Sequence, residues 1–292
     1  MADNRYEIFL KTVELGSITK AAIAMNYTQS GVSHAIAALE QEVGFSLLIR
    51  DRQGVSLTAR GAQIFGEVRS LVNQQRRFTQ AVAVANNMIA GTMRIGTFSS
   101  VSAHWIPTLI QEFQAQYPQA KFELLDGSYD EIRMWVEEER IDCGFLTESN
   151  IGRLNFLPLQ KDYMRVVLPY GHPLGAKELL SFSDIQEEAF LFQAKGCSDD
   201  DVFRALCDKK IPISVKYVLN NDIAIMAMVE KGFGISILSE LVLKGFQFNL
   251  CVKPLQEPCY RTLGIAFSQR RDVSLLTNAF LDFVPQSSLF TS

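Results

Sequence analysis

The 292-residue sequence predicts an α/β protein preceded by a helix-rich N-terminal winged helix-turn-helix. Three observations carry that expectation. Residues 16–61 hold two capped helical stretches and a turn-rich apolar pair. Residues 58–90 form one long helical pattern without proline. From Thr92 onward, strand-like apolar runs alternate with helical ones, the pattern of a sheet flanked by helices.

Within residues 16–61, Ser17 and Thr19 are candidate N-caps for a helix running to about Met25, because their hydroxyls can accept an orphan helical N–H. Thr28 can cap a second helix to about Val43, which Gly44 then stops. Val32, Ile36, Leu39 and Val43 recur at helical spacing and form its buried stripe. Gln29, Ser30, Ser33 and His34 fall in its first turns, largely off that stripe. Their hydrogen-bonding side chains suit base edges and phosphates in a DNA major groove. Residues 50–54, Arg-Asp-Arg-Gln-Gly, read as the wing turn, whose Arg50 and Arg52 reach the DNA backbone or minor groove.

Thr58 can cap a helix whose apolar residues include Ile64, Val68, Leu71, Phe78 and Val82. Their spacings alternate four and three, the period of a coiled-coil seam, so these residues are expected to join two copies of the chain. About 30 helical residues span roughly 45 Å, too long to stay within one small domain.

All nine prolines lie at or after Pro107. Strands are expected over residues 94–97, 122–125, 143–146 and 263–267, and helices over 106–116, 130–139 and 274–284. This alternation reads as an open, largely parallel sheet with helices on both faces. Ligands of such sheets bind beyond the carboxyl ends of strands. Ser99, Ser100 and Ser102 follow the first strand, Ser128 the second and Thr147 the third. Gln193 and Lys195 follow a later strand, and Asn221 precedes a helix. These hydroxyls and amides are the candidate effector contacts, with Ser99, Ser100, Ser128 and Asn221 foremost. Each is equally fit to cap a helix.

The motifs Gly16-Ser17-Ile18-Thr19-Lys20-Ala21-Ala22, Thr28-Gln29-Ser30-Gly31-Val32-Ser33 and Leu57-Thr58-Ala59-Arg60-Gly61 resemble the DNA-binding domain of the LysR-type transcriptional regulators. The resemblance continues through Met93-Arg94-Ile95-Gly96, Ile106-Pro107, His172-Pro173-Leu174 and Gly232-Phe233-Gly234-Ile235-Ser236. It implies an effector domain of the type-two periplasmic-binding-protein fold, with two α/β subdomains. On that basis residues 1–61 are the winged helix-turn-helix, 58–90 the linker and dimerisation helix, and 91–292 the effector domain. Subdomain I takes 91–162 and 263–292, and subdomain II takes 163–262. The resemblance further implies double-stranded DNA and a small-molecule effector as partners, RNA polymerase as a further contact, and a homodimer or homotetramer. His34 departs from the family's usual Arg or Lys, and Ser239 from a common proline; the second change is expected to matter little.

Composition agrees with a folded regulator. Hydrophobic residues make up 48% of the chain, and no apolar run approaches the roughly 18 residues of a membrane helix. The first residues lack a signal-peptide core, so a cytoplasmic location is expected. Net charge is −4, which makes the placement of arginines, rather than a basic domain, the argument for DNA. His34, His104 and His172 are isolated, so no metal site is expected. No nucleophile triad or nucleotide-binding loop is present, and no catalytic residue or cofactor is expected.

Two alternatives compete with an effector-responsive regulator. A solute receptor or enzyme on the same effector fold needs no recognition helix, wing or seam. A thiol switch would use Cys197 and Cys207, which lie roughly where peroxide-sensing members of the family keep a reactive pair. The residues between them read as helix, and ten helical residues separate the sulfurs by about 15 Å. A disulfide needs Cα atoms within about 7 Å, so that helix would have to unwind first.

Overall fold

A computed structural model describes residues 4–51, 54–85, 89–193, 214–219, 221–269 and 274–291. The chain forms two compact units, one of residues 1–88 with 138–140 and one of 89–137 with 141–292.

In the first unit, helices α1 (Arg5–Leu15), α2 (Ile18–Met25) and α3 (Gln29–Val43) precede an antiparallel hairpin, β1 (Leu48–Asp51) and β2 (Gly54–Leu57). The long α4 (Ala59–Ala85) follows. Ser17, not Thr19, caps α2 by accepting the Lys20 N–H. Thr28 Oγ1 accepts the Gly31 N–H at 3.0 Å, and Gly44 ends α3 in the left-handed region. Thr58 Oγ1 accepts the Gly61 N–H at the head of α4. A Cβ on Gly61 would stand 2.3 Å from the Leu47 carbonyl oxygen, so the close passage of α4 over the hairpin requires glycine. Val32, Ile36 and Leu39 are buried against Ile8, Phe9, Ala22 and Leu47. Ile8 and Phe9 of that core come from α1, a helix the motif reading did not place.

The expected seam residues of α4 differ in burial. Ile64 and Val68 turn into this same core. Leu71, Phe78 and Val82 stay exposed, by 49%, 68% and 45%. The five residues lie on one face of the helix, but the core of the winged unit covers only the start of that face: Ile64 and Val68 pack into it, and Leu71, Phe78 and Val82 lie beyond it.

In the second unit β3 (Gly91–Thr97) lies parallel between β4 (Ala120–Asp126) and β5 (Cys143–Thr147). β11 (Tyr260–Phe267) runs antiparallel to β5, and the long β6 (Asn155–Pro169) antiparallel to β11. The far half of β6 pairs with β9 (Ser236–Ser239) and β10 (Leu250–Pro254). The sheet expected to be largely parallel is thus mixed. β6 carries the chain into the second lobe and β11 carries it back, so these neighbours must run in opposite directions.

Helices cover both faces of the near half. Phe145 of β5 packs with Leu109 and Phe113 of α6 (Ile106–Gln116) and Phe280 of α11 (Leu275–Phe283). Its neighbour Leu146 points the other way, onto Ile132, Trp135 and Val136 of α7 (Tyr129–Glu137). This is the period-two alternation of a strand buried on both sides.

The far half of β6 repeats the arrangement. Val166 and Leu168 pack with α8 (Phe182–Ile185) and with Phe190 of β7 (Ala189–Gln193). Val167 packs with Ile225, Met226 and Val229 of α9 (Asp222–Glu230). β7 pairs in parallel with β8 (Ser214–Leu219).

Candidate DNA-reading helix and effector site

The start of α3 presents polar side chains to the surface. Gln29, Ser30 and His34 are exposed and Ser33 is half-buried. Ser30 shares a 3.1 Å hydrogen bond with the capping Thr28. The buried stripe fixes the rotation of α3, which turns Gln29 and His34 outward. Glu40, from the same helix, accepts the Leu47 and Leu48 N–H groups at 2.7 and 3.2 Å. One carboxylate thereby ties the reading helix to the wing. Arg50 is exposed on β1, opposite Val55 in the hairpin. Arg60 lies over the Phe45 ring, 5.6 Å from its centroid. Arg52 lies outside the described residues, as do Lys195, Cys197 and Cys207.

In the second unit most of the expected effector hydroxyls and amides are already engaged. Ser128 Oγ and Glu131 close a capping box: Ser128 donates to Glu131 Oε2, which also accepts the Ser128 N–H. Asn221 Oδ1 accepts the Ile223 and Ala224 N–H groups and so caps α9. Ser102 donates to Thr97 Oγ1 at 3.1 Å. Thr147 Oγ1 accepts from Asn150 at 2.7 Å. Gln193 ends β7, half-buried. Ser99, first residue of α5 (Ser99–His104), is exposed, and its hydroxyl has no partner among the described residues.

The centre of this unit is a residue the sequence did not single out. Arg261 of β11 faces Asp162 of β6 across the ladder, at the point where the chain crosses between lobes. Both are buried. Arg261 Nε and Nη2 donate to Asp162 Oδ2 at 2.9 and 2.7 Å. Nη2 also reaches Ser239 Oγ at 2.8 Å and, weakly, Ser100 Oγ at 3.4 Å. Nη1 donates to the Tyr129 hydroxyl at 2.6 Å. Asp162 Oδ1 in turn accepts the Leu241 N–H, in α10 (Glu240–Leu243). Burial alone would lower the Arg261 pKa, but Tyr129 and Asp162 more than offset it, and the guanidinium is held above its ordinary value. It is a fixed positive charge.

Ser239 therefore matters. It caps α10 through the Val242 N–H and accepts from Arg261, two bonds that a proline would forgo. The available clue to Arg261 was a charged residue beside the apolar run Leu263-Gly264-Ile265-Ala266-Phe267, with Asp162 beside Tyr163-Met164. Charges in strands are rarely buried unless paired, but nothing in the sequence gives the register that pairs them.

Among the described cysteines, Cys143 is buried and Cys251 and Cys259 are partly so. Burial, with Asp142 nearby, pushes the Cys143 thiol up, away from the reactive thiolate. Among the described residues no group of three His, Cys, Asp or Glu side chains could hold a metal ion. No helix among them is long and apolar enough to cross a membrane.

A winged helix-turn-helix followed by a two-lobed α/β unit defines a DNA-binding transcription regulator with an effector-binding domain. Residues 4–62 match the bacterial regulatory helix-turn-helix protein, lysR family, and residues 86–288 match the LysR substrate binding domain. The HTH-type transcriptional regulator YvbU of Bacillus subtilis is 32% identical over 98% of either chain. The fold is shared with full-length CbnR complexed with its target DNA, at 18% identity, a TM-score of 0.69, and 99% and 100% of the two chains covered. It is shared with the effector-binding domain of QuiR in complex with shikimate, at 22% identity and a TM-score of 0.61, over 66% of this chain and 95% of that one. The chain belongs to the LysR family of transcriptional regulators, which are not enzymes.

Proposed function

We propose that the protein reads an operator through Gln29, Ser30, Ser33 and His34 while Arg50 and Arg52 hold the DNA backbone. It works in the cytoplasm as a homodimer or dimer of dimers, joined through the exposed Leu71, Phe78 and Val82. A small polar metabolite binding near Ser99, Ser100 and the Arg261 cluster alters the angle between the two lobes. That change alters DNA bending or the access of RNA polymerase. The observation that carries the DNA reading is the capped start of α3, where Gln29, Ser33 and His34 are left without hydrogen-bond partners among the described residues. The lobes joined through Arg261 support the effector reading, as does the small molecule in the QuiR domain of like fold.

Fluorescence anisotropy on the DNA upstream of the gene tests this. Gln29→Ala should cost about 1–3 kcal/mol on the cognate site and little on random DNA. Arg50→Ala should weaken both alike and reduce the salt slope by about 0.9 per lost phosphate contact. Equal losses on cognate and random DNA for Gln29→Ala would remove the base-reading role.

A further inference from the structure

Asp222 opens α9 directly after the capping Asn221. Its Oδ1 is buried and has no hydrogen-bond partner among the described residues. Native folds rarely leave such an atom unpaired, and each case calls for a reason. Burial holds the Asp222 carboxyl above its ordinary pKa, and the Arg261 charge works against that rise. The two therefore share one electrostatic neighbourhood without sharing a bond. Arg261 Nε and Nη2 are taken by Asp162, Ser239 and Ser100, and Nη1, which carries two N–H groups, gives one to Tyr129. A buried acceptor without a donor thus accompanies a buried donor with one N–H to spare. The guanidinium lies where α5 (Ser100) and α7 (Tyr129) of one lobe meet β9 (Ser239) of the other, and the Asp222 carboxyl, at the head of α9, is near enough to act on it through space.

We infer that Asp222 is a specificity-determining residue of the effector site, and that it selects a neutral group able both to donate and to accept, a hydroxyl or carboxamide, set between Asp222 Oδ1 and the Arg261 guanidinium. The inference rests on the effector reading of this site. Charge and hydrogen-bonding capacity together decide the class. Two carboxylates, Asp162 and Asp222, act on this one guanidinium. A ligand carboxylate at this point would add a third negative group, and an ammonium, with no lone pair, could not accept the spare Arg261 N–H. A hydroxyl meets both partners without adding charge, and a bond to an ionised acceptor is stronger than a neutral one. A site built to bond such a group rejects the analogue lacking it, because its own polar atoms are then left unpaired.

The test melts the full-length protein at pH 7.5 against a broad panel of matched pairs, each hydroxylated metabolite beside its deoxy analogue. Wild type, Asp222→Asn, Asp222→Ala and Ser99→Trp are compared, and hits are titrated by calorimetry. Without ligand, Asp222→Asn should melt at or above the wild-type temperature, since no bond is lost. Wild-type hits should carry a hydroxyl or amide and bind at least tenfold tighter than their deoxy partners. Asp222→Ala should lose that tenfold and no longer separate the pair. An Asp222→Ala variant that still separates the pair overturns the inference and leaves the effector reading standing. So does a ligand-free Asp222→Asn protein melting several degrees lower, which would make the carboxylate a structural partner. Hits that bind Ser99→Trp as well as wild type would place the ligand elsewhere, and that result, or a panel that never shifts the wild type, overturns the effector reading and this inference with it.

Discussion

Arg261 puts a permanent charge inside a strand whose other residues build a core, and the fold tolerates it because Asp162, Ser239 and Tyr129 accept from it. Removing one partner of such a buried pair leaves the other charge unmatched. Arg261→Met is expected to lower the unfolding free energy of the second unit by about 3–5 kcal/mol, measured by urea denaturation. Adding Asp162→Leu should recover much of that loss but not all, because the Leu241 N–H then loses its acceptor. If the double variant is no more stable than the single one, Asp162 is not what Arg261 neutralises. At this scale the sequence was only partly legible. The residue types proposed for the ligand were reasonable, yet Ser128 and Asn221 are spent on helix caps and Ser102 and Thr147 on bonds to neighbours. Local spacing cannot separate a capping serine from a free one. Arg261 and Asp162 lie 99 positions apart, and only the β6–β11 register joins them.

Among the elements, α4 separates two kinds of apolar residue that share one period in the sequence. Val68 sits in the core of the winged unit, so Val68→Ala should cost about 1–3 kcal/mol, at any protein concentration. Leu71 and Phe78 are exposed, so Leu71→Glu or Phe78→Glu should leave the isolated unit stable and weaken association instead. Their effect on the denaturation midpoint should grow on dilution, and sedimentation velocity should show the dimer lost. An unaltered dimer in both variants would remove the proposed interface. The short α8 is held differently, by a capping box between Ser181 and Asp184 with Lys177 alongside. The Lys177 ammonium first, then the Ser181 N–H and hydroxyl, hold the Asp184 carboxyl down at about 2. A depressed carboxylate stabilises the fold above its ordinary pKa of 3.8 and loses that contribution as pH falls toward 2. Asp184→Asn should therefore melt lower than wild type at neutral pH, with the gap closing between about pH 4 and pH 2. A gap that is constant across that range would mean the carboxylate charge plays no part. Most elements were legible because caps and periodicity are local. The mixed sheet was not, because strand direction follows from a chain path between lobes that no window of sequence contains.

For the whole molecule, the cores are separate. The buried cluster of the winged unit draws only on residues up to 68, and the other four clusters only on residues from 89 onward. Units with separate cores unfold separately unless an interface couples them. Scanning calorimetry of the full-length protein should resolve two transitions, with operator DNA raising one and an effector raising the other. Regulation requires more than two independent transitions, because an effector with no preference between two states of the chain shifts nothing. If effector binding changes operator affinity by some factor, operator must change effector affinity by the same factor, since the coupling free energy belongs to both sites. Typical couplings are about 1–3 kcal/mol, a 5- to 150-fold change that titration calorimetry can measure in both directions. The crossing strands offer the place to perturb it. Arg261→Lys keeps the charge at the crossing but loses the planar fork that binds Asp162, Ser239 and Tyr129 together. That variant is expected to keep operator affinity in the absence of effector and to lose most of the coupling in both titrations. Full coupling in Arg261→Lys would mean that the signal does not pass through the joint between the lobes.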